Sequence, residues 1–267
     1  MLITPAQLSA EIDEVVVLDA RYYLGSPGRG RAEYDGGHIP GARFVDVDTD
    51  LASHPADGVG GRHPLPSPAD WQETLRRLGI LQDSRVVVYD QASSLAAGRL
   101  WWMLRDAGID AVVLDGGYRA WVASGLATSS EEPDVERSDI SVSTGAMGVA
   151  TAGDVAGREG VRLIDVRAPE RYRGEVEPID RVPGRIPGAE NMPAGRLQRP
   201  DGTFLPADEI RSALGDVSPD DILSCGSGIT AAQVALAAAA AGLGVPRVYV
   251  GSYSDWISDP NRAVERG

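Results

Sequence analysis

The chain contains no lysine; all 25 of its basic residues are arginine. That excludes every mechanism needing a lysine, and it leaves arginine, backbone N–H groups or hydroxyls to hold any anionic ligand. There is one cysteine, Cys225. A disulfide within the chain is impossible, and a cysteine-based metal site lacks its ligands. No apolar run approaches the ~20 residues of a membrane span. Met1-Leu2-Ile3-Thr4-Pro5 has no basic region ahead of an apolar one, so no signal peptide is expected. One cysteine without an export signal points to the cytoplasm. Positive charge is also scarce: the net charge of −14 argues against a nucleic-acid or anionic-membrane partner. No cofactor is implied, since neither a nucleotide loop nor metal-ligand spacing occurs.

What is present is a 267-residue chain with 43% apolar residues, enough for one large or two ordinary domains. It repeats itself. Val15-Val-Val-Leu-Asp19-Ala-Arg21 returns as Val161-Arg-Leu-Ile-Asp165-Val-Arg167, with Asp19 and Asp165 separated by 146 positions. Gly37-His38-Ile-Pro-Gly-Ala42 is echoed by Gly184-Arg185-Ile-Pro-Gly-Ala189. Arg85–Asp90 corresponds to Asp220–Cys225 at an offset of 135, and Ala96-Ala97 falls on Ala231-Ala232. Ala107-Gly108 matches Ala241-Gly242 at 134, and Tyr118 and Trp121 match Tyr253 and Trp256 at 135 again. Ordered matches at nearly constant offset indicate a tandem duplication.

Within the first copy, short buried strands (85–89, 111–114) alternate with helical patterns (68–78, 96–107, 118–124), which predicts a mostly parallel sheet covered on both faces. The acidic, proline-bearing stretch around 129–139 reads as a solvated linker. The expected division is 1–126, linker 127–140, and 141–267.

The only cysteine sits at a strand–turn–helix junction. Asp221-Ile222-Leu223 leads into Ser224-Cys225-Gly226-Ser227-Gly228, and an alanine-rich helix is expected from Thr230 to Ala241, stopping at Gly242. This order aims the turn's N–H groups and the positive helix end at one point. The helix end alone is worth roughly 0.3–1 kcal/mol to a thiolate, so several N–H donors must add to it. The first copy has Asp90 where the second has Cys225, and Gln91-Ala92-Ser93 where the second has Gly-Ser-Gly. The expectation is one site per chain, at the domain interface, with the first copy as scaffold.

These residues resemble the tandem-domain rhodanese-like sulfurtransferases over essentially the whole chain. The resemblance rests on Asp-x-Arg, Gly-His-Ile-Pro-Gly-Ala, its degenerate second version, and a cysteine loop only in the second copy. Cys225-Gly-Ser-Gly-Ile-Thr230 is similar to the mercaptopyruvate sulfurtransferase loop, whereas thiosulfate sulfurtransferases usually carry two cations after the cysteine. The resemblance implies a Cys225 persulfide formed from a small anionic donor, 3-mercaptopyruvate, and discharged to a thiol, thioredoxin or cyanide. Gly226, Gly228, Ile229 and Thr230 then line the sulfur, with Thr230 as a helix cap. Arg171 matches the arginine that binds the donor's anionic end. A second arginine usually follows a Glu-Pro pair in the mercaptopyruvate type. Here Ile179 follows Glu177-Pro178, so Arg173, Arg181 and Arg185 are the substitutes considered. Asp48 and His63 match a pair that works with the loop serine, Ser227, as a relay; for His63 an interdomain hydrogen-bonding role is the alternative. His38 reads as structural.

Three other readings compete. Thiosulfate as donor would use the same persulfide mechanism. A non-enzymatic binding or redox-sensing module would keep the fold alone. A cysteine phosphatase needs an arginine six positions after the cysteine, and position 231 is alanine.

Overall fold

The computed structural model describes residues 1–55 and 59–267. It forms two compact units. The first comprises Met1–Ala52, Pro66–Ala146 and Gln198–Phe204, and the second Ser53–Leu65, Met147–Leu197 and Leu205–Gly267. A contiguous division would put 53–65 and 198–204 in the other units. Hydrogen bonds explain the difference. Gln198 donates to the Ser93 carbonyl at 2.9 Å, and the Phe204 N–H to Asp115 at 2.9 Å. The Gly60 and Arg62 N–H groups donate to Asp255 (3.2 Å) and Ser254 Oγ (3.1 Å).

The first unit holds strands β1 (Leu2–Ile3), β2 (Val16–Asp19), β3 (Arg43–Phe44), β4 (Arg85–Tyr89) and β5 (Asp110–Leu114), in the order β1-β5-β4-β2-β3 and all parallel. Helices α1 (Pro5–Ala10), α2 (Arg29–Gly36), α3 (Pro68–Arg77), α4 (Leu95–Asp106) and α5 (Gly117–Ala123) accompany it. Helix α3 starts where a serine cap is followed by proline. Ser67 Oγ accepts the Asp70 N–H at 3.1 Å, and Trp71 and Leu75 turn inward. The expected linker is not loose. Ser129 exchanges backbone hydrogen bonds with His38 (2.8 and 2.9 Å), and Arg76 Nε donates to the Ile140 carbonyl at 2.9 Å. The fully buried His38 stacks on Tyr34 at 3.9 Å, a structural role.

The second unit repeats the plan with β6 (Val149–Ala150), β7 (Leu163–Asp165), β8 (Glu190–Asn191), β9 (Ile222–Ser224) and β10 (Arg247–Tyr249), parallel in the order β6-β10-β9-β7-β8. Its helices are α6 (Ala152–Ala156), α7 (Pro169–Arg173), α8 (Ala207–Leu214), α9 (Ile229–Ala240) and α10 (Ser252–Trp256). Alanine gives α9 high helix propensity and no bulky side chains, so it packs against α8, β9 and β10 and is buried from Ala231 to Ala238. On the other side Val155, Leu163, Ile186, Tyr249 and Trp256 form a core.

Both copies end their second strand with the same buried ion pair, Asp19–Arg21 (2.7 Å) and Asp165–Arg167 (2.6 Å). Each arginine also donates to a glycine carbonyl, Gly37 at 2.7 Å or Gly184 at 2.8 Å, and lies over Tyr118 or Tyr253. This explains why Asp-x-Arg and the Gly-x-Ile-Pro-Gly turn recur together. One alignment expectation needs correction. Helices α4 and α9 are both 12 residues long and start at Leu95 and Ile229, 134 positions apart. The one-residue slip therefore falls inside the loop after Asp90, and Ala96 corresponds to Thr230 rather than Ala231. Among the described residues no helix is long and apolar enough to cross a membrane.

Candidate active site

Cys225 follows β9 directly and is 2% exposed. Two N–H groups of the first turn of α10 hold the loop's carbonyls, Tyr253 N–H on Cys225 O and Ser254 N–H on Gly226 O, both at 3.0 Å. These bonds fix the orientation of the loop's peptide units. Gly228 N–H donates to Cys225 Sγ at 3.1 Å. Gly228 sits at φ 82°, and a Cβ there would meet the Val250 carbonyl at 2.4 Å, so only glycine fits. It is the residue before α9, which begins at Ile229; Thr230 is thus a second-position helix residue and not the cap expected from sequence.

The first unit shows what this backbone does with an anion. Tyr118 and Arg119 N–H groups hold the carbonyls of Asp90 and Gln91 at 2.9 Å. The Asp90 carboxylate then accepts four N–H bonds, from Ala92 and Ser94 (both 3.0 Å), Ala96 (3.1 Å) and Ala97 (3.3 Å). Burial still raises its carboxyl above the ordinary aspartate value, with those N–H groups pulling the other way.

Ser252 fixes the cysteine from below. Its Oγ accepts the Cys225 N–H at 3.1 Å and donates to the Tyr249 carbonyl at 2.7 Å. The hydroxyl has one proton, so its 3.9 Å approach to Sγ is a secondary contact. Ser252 is fully buried at φ 52°, a left-handed conformation unusual for a non-glycine residue, and its counterpart in the first copy is Gly117 at φ 59°.

His63 Nδ1 and Ser227 Oγ share a hydrogen bond of 2.9 Å, and both residues are buried. Two of the three residues of the expected relay are therefore brought together within the second unit. Asp48 belongs to the first unit, where its N–H donates to Asp46 at 2.8 Å.

A chain of alternating charges runs from the Asp165–Arg167 pair to the loop. Arg167 touches Glu177 at 3.4 Å. Arg171 reaches Glu177 at 2.7 Å and Asp180 at 3.2 Å, and Asp180 also pairs with Arg62. Burial pushes the Glu177 carboxyl up, but hydrogen bonds from Arg171 and from the Asp180 and Ile179 N–H groups outweigh it, and the result lies below the ordinary glutamate value. For Asp180 burial wins and its carboxyl is raised, with Arg62 opposing and Glu177 reinforcing. The chain ends over Gly226. A Cβ on that residue would lie 2.7 Å from Arg62 Nη2 and 3.6 Å from Arg171 Nη2.

Of the arginines expected to bind a donor, only Arg171 faces the loop. Arg173 is exposed and paired with Glu175 (2.7 Å), Arg181 donates to the Ile257 carbonyl (2.5 Å), and Arg185 lies over Tyr172 and donates to the Gly267 carbonyl (2.6 Å). Sequence reasoning missed Arg62, Asp180 and Ser252. The signal for Ser252 was present: a serine stands where the repeat has glycine. Among the described residues no cluster of three or more His, Cys, Asp or Glu is arranged to hold a metal.

Comparison with known proteins bears on this site. A family model described as a rhodanese-like domain matches twice, at residues 4–124 and 151–259. A Pseudomonas aeruginosa protein provisionally named 3-mercaptopyruvate sulfurtransferase is 42% identical, covering 100% of this chain and 98% of the relative. A Mycobacterium tuberculosis protein provisionally named thiosulfate sulfurtransferase SseB is 41% identical, covering 100% and 97%. The solved structure of SseA from Escherichia coli, described as a 3-mercaptopyruvate sulfotransferase, superposes with a TM-score of 0.82 at 34% identity, covering 95% of this chain and 98% of that one.

Proposed function

The chain belongs to the rhodanese-like family and is a sulfurtransferase, and from that premise we propose that it moves sulfur from 3-mercaptopyruvate through a persulfide on Cys225. The Cys225 thiolate attacks the donor's sulfur. The carbon–sulfur bond breaks, its electron pair passes into the enolate of pyruvate, and the sulfur stays on the enzyme as the persulfide. The Gly228 N–H and the start of α9 face the charge on sulfur, and Arg171 takes the donor's carboxylate. A thiol, a thioredoxin or cyanide then attacks the outer sulfur and releases the Cys225 thiolate. On this reading the second unit is catalytic and the first, with Asp90 in place of a cysteine, is scaffold. The reducing cytoplasm suits a lone thiol of this kind.

One observation carries the choice of donor: the buried His63–Ser227 hydrogen bond of 2.9 Å, two residues from the nucleophile. An enolate leaving group must gain a proton to become pyruvate, and a hydroxyl–imidazole pair supplies it. Sulfite, the leaving group from thiosulfate, departs as a stable anion and needs none. The family resemblance assigns Asp48 to the same relay. Thiosulfate remains the second reading, because the 41%-identical relative carries that name.

The test gives purified wild type and Cys225→Ser either donor, with cyanide as acceptor, and measures thiocyanate. Mercaptopyruvate should exceed thiosulfate by about tenfold or more in kcat/KM, which corresponds to ~1.4 kcal/mol, and Cys225→Ser should be inert. Faster turnover of thiosulfate overturns the donor assignment, and activity in Cys225→Ser overturns the persulfide.

A further inference from the structure

We propose that Arg62 is the second donor-binding residue of the site and contacts the end of the donor nearest the reacting sulfur. The inference rests on the sulfurtransferase reading and assigns a specificity-determining residue within it. Ile179, which follows Glu177-Pro178, is 41% exposed and offers only its backbone N–H, which Glu177 accepts at 3.1 Å. Arg173, Arg181 and Arg185 spend their guanidinium groups on Glu175 and on the carbonyls of Ile257 and Gly267. Arg62 reaches the loop from a segment 163 positions before Cys225.

Three features show a built arrangement. The segment is seated on the start of α10. Gly61, at φ 85°, approaches so closely that a Cβ would lie 2.6 Å from the Gly251 carbonyl, and the Arg62 N–H is held by Ser254 Oγ at 3.1 Å. Consecutive residues then serve consecutive loop positions: Arg62 lies over Gly226, and His63 bonds Ser227. Finally, one buried carboxylate spaces the two cations. Asp180 holds Arg62 through Oδ1 and Arg171 through Oδ2. Only Nη1 of Arg62 is used in that pair, and its Nε has no partner among the described residues. The side chain is 27% exposed, against 3% for Asp180; Nε is buried, which leaves Nη2, beside Gly226, as the donor for a ligand.

Glycine at position 226 makes room for Arg62 from outside the loop: a Cβ there would lie 2.7 Å from Arg62 Nη2, so a side chain would push the guanidinium away. The cation that other loops carry at this position is delivered here in space. Of the two guanidinium groups, Arg62 lies nearer Gly226, so it takes the carbonyl oxygen beside the sulfur-bearing carbon, where enolate charge develops, while Arg171 takes the carboxylate. Binding at the developing charge lowers the barrier; binding at the carboxylate holds donor and transition state alike.

The experiment compares wild type, Arg62→Ala, Arg62→Lys and Gly226→Ala with each donor, by steady-state kinetics and by single-turnover mass spectrometry of the Cys225 persulfide. Arg62→Ala should lose about tenfold or more in kcat with mercaptopyruvate, with a smaller change in KM. Arg62→Lys should recover part of it, and Gly226→Ala, which displaces the guanidinium, should reproduce part of it. Kinetics within twofold of wild type in Arg62→Ala overturn the proposal, as does a loss that appears only in discharge of a preformed persulfide. Should Arg62→Ala not fold, Arg62→Lys and Gly226→Ala decide: wild-type kinetics in both refute it. A wild type that prefers thiosulfate sinks the donor reading, yet an Arg62 effect on persulfide formation from thiosulfate still supports a donor contact.

Discussion

Replacing Ser252 by glycine should harm the protein less than replacing it by alanine. Serine at φ 52° carries the cost of a left-handed backbone, about 1–2 kcal/mol for a residue with a Cβ. Alanine keeps that cost and removes both buried hydrogen bonds, to the Cys225 N–H and the Tyr249 carbonyl. At ~0.5–1.5 kcal/mol for each bond, and up to ~3 where the partner is left orphaned, Ser252→Ala should lose about 2–4 kcal/mol. Glycine loses the same bonds but relieves the backbone. Less the ~0.5–1 kcal/mol of extra chain entropy that glycine gives up, the relief nets ~0.5–1 kcal/mol. The assay is equilibrium urea unfolding with equal m-values, checked by thermal melting, where the two variants should melt roughly 1–4 °C apart. Both should also form the Cys225 persulfide more slowly, since the nucleophile's backbone loses its anchor. An alanine variant as stable as the glycine variant, or more so, would falsify the claim that strain is stored at this position.

Two further outcomes follow from the charge chain. Arg171→Ala should raise the donor's KM at least tenfold, because a sheltered guanidinium–carboxylate contact is worth about 1.5–3 kcal/mol; unchanged steady-state kinetics refute its role as anion clamp. Glu177 has a folded-state pKa below its ordinary value of 4.5. Its ionised form thus stabilises the fold, fully above that value, and the contribution is lost as pH falls through the folded pKa. The stability gap between wild type and Glu177→Gln should be widest near pH 7 and close on acidification, and a gap that widens toward acid pH in urea titrations contradicts the sign.

Much of this was legible in the sequence because it is local. Strand runs such as Val86-Val-Val, the alanine content of α9 and the serine–proline start of α3 specify their elements by propensity and capping over a few residues. The duplication exposed Asp-x-Arg and the cysteine turn as recurring parts. What escaped depends on contacts far apart in the chain. Arg62 meets Asp180, 118 residues on, whereas His63 and Ser227, 164 residues apart, were linked in the sequence only through the family resemblance. No periodicity encodes such a pairing, so nothing local marks a cation outside the second copy as part of the site. The loop slip was misplaced for a related reason: alanines in a helix look alike, and only the helix starts reveal where the extra residue sits.

Asp90 and Cys225 occupy equivalent turns, yet the carboxylate is bound to its own backbone by a single methylene and can never depart. Its four N–H partners hold a passenger that is also part of the vehicle. A sulfur atom carried on Cys225 would meet the same kind of cradle through a bond that a passing nucleophile can cut. One chain thus displays, side by side, the difference between storing negative charge and handing it on, and that difference lies less in the cradle than in the strength of the last covalent bond.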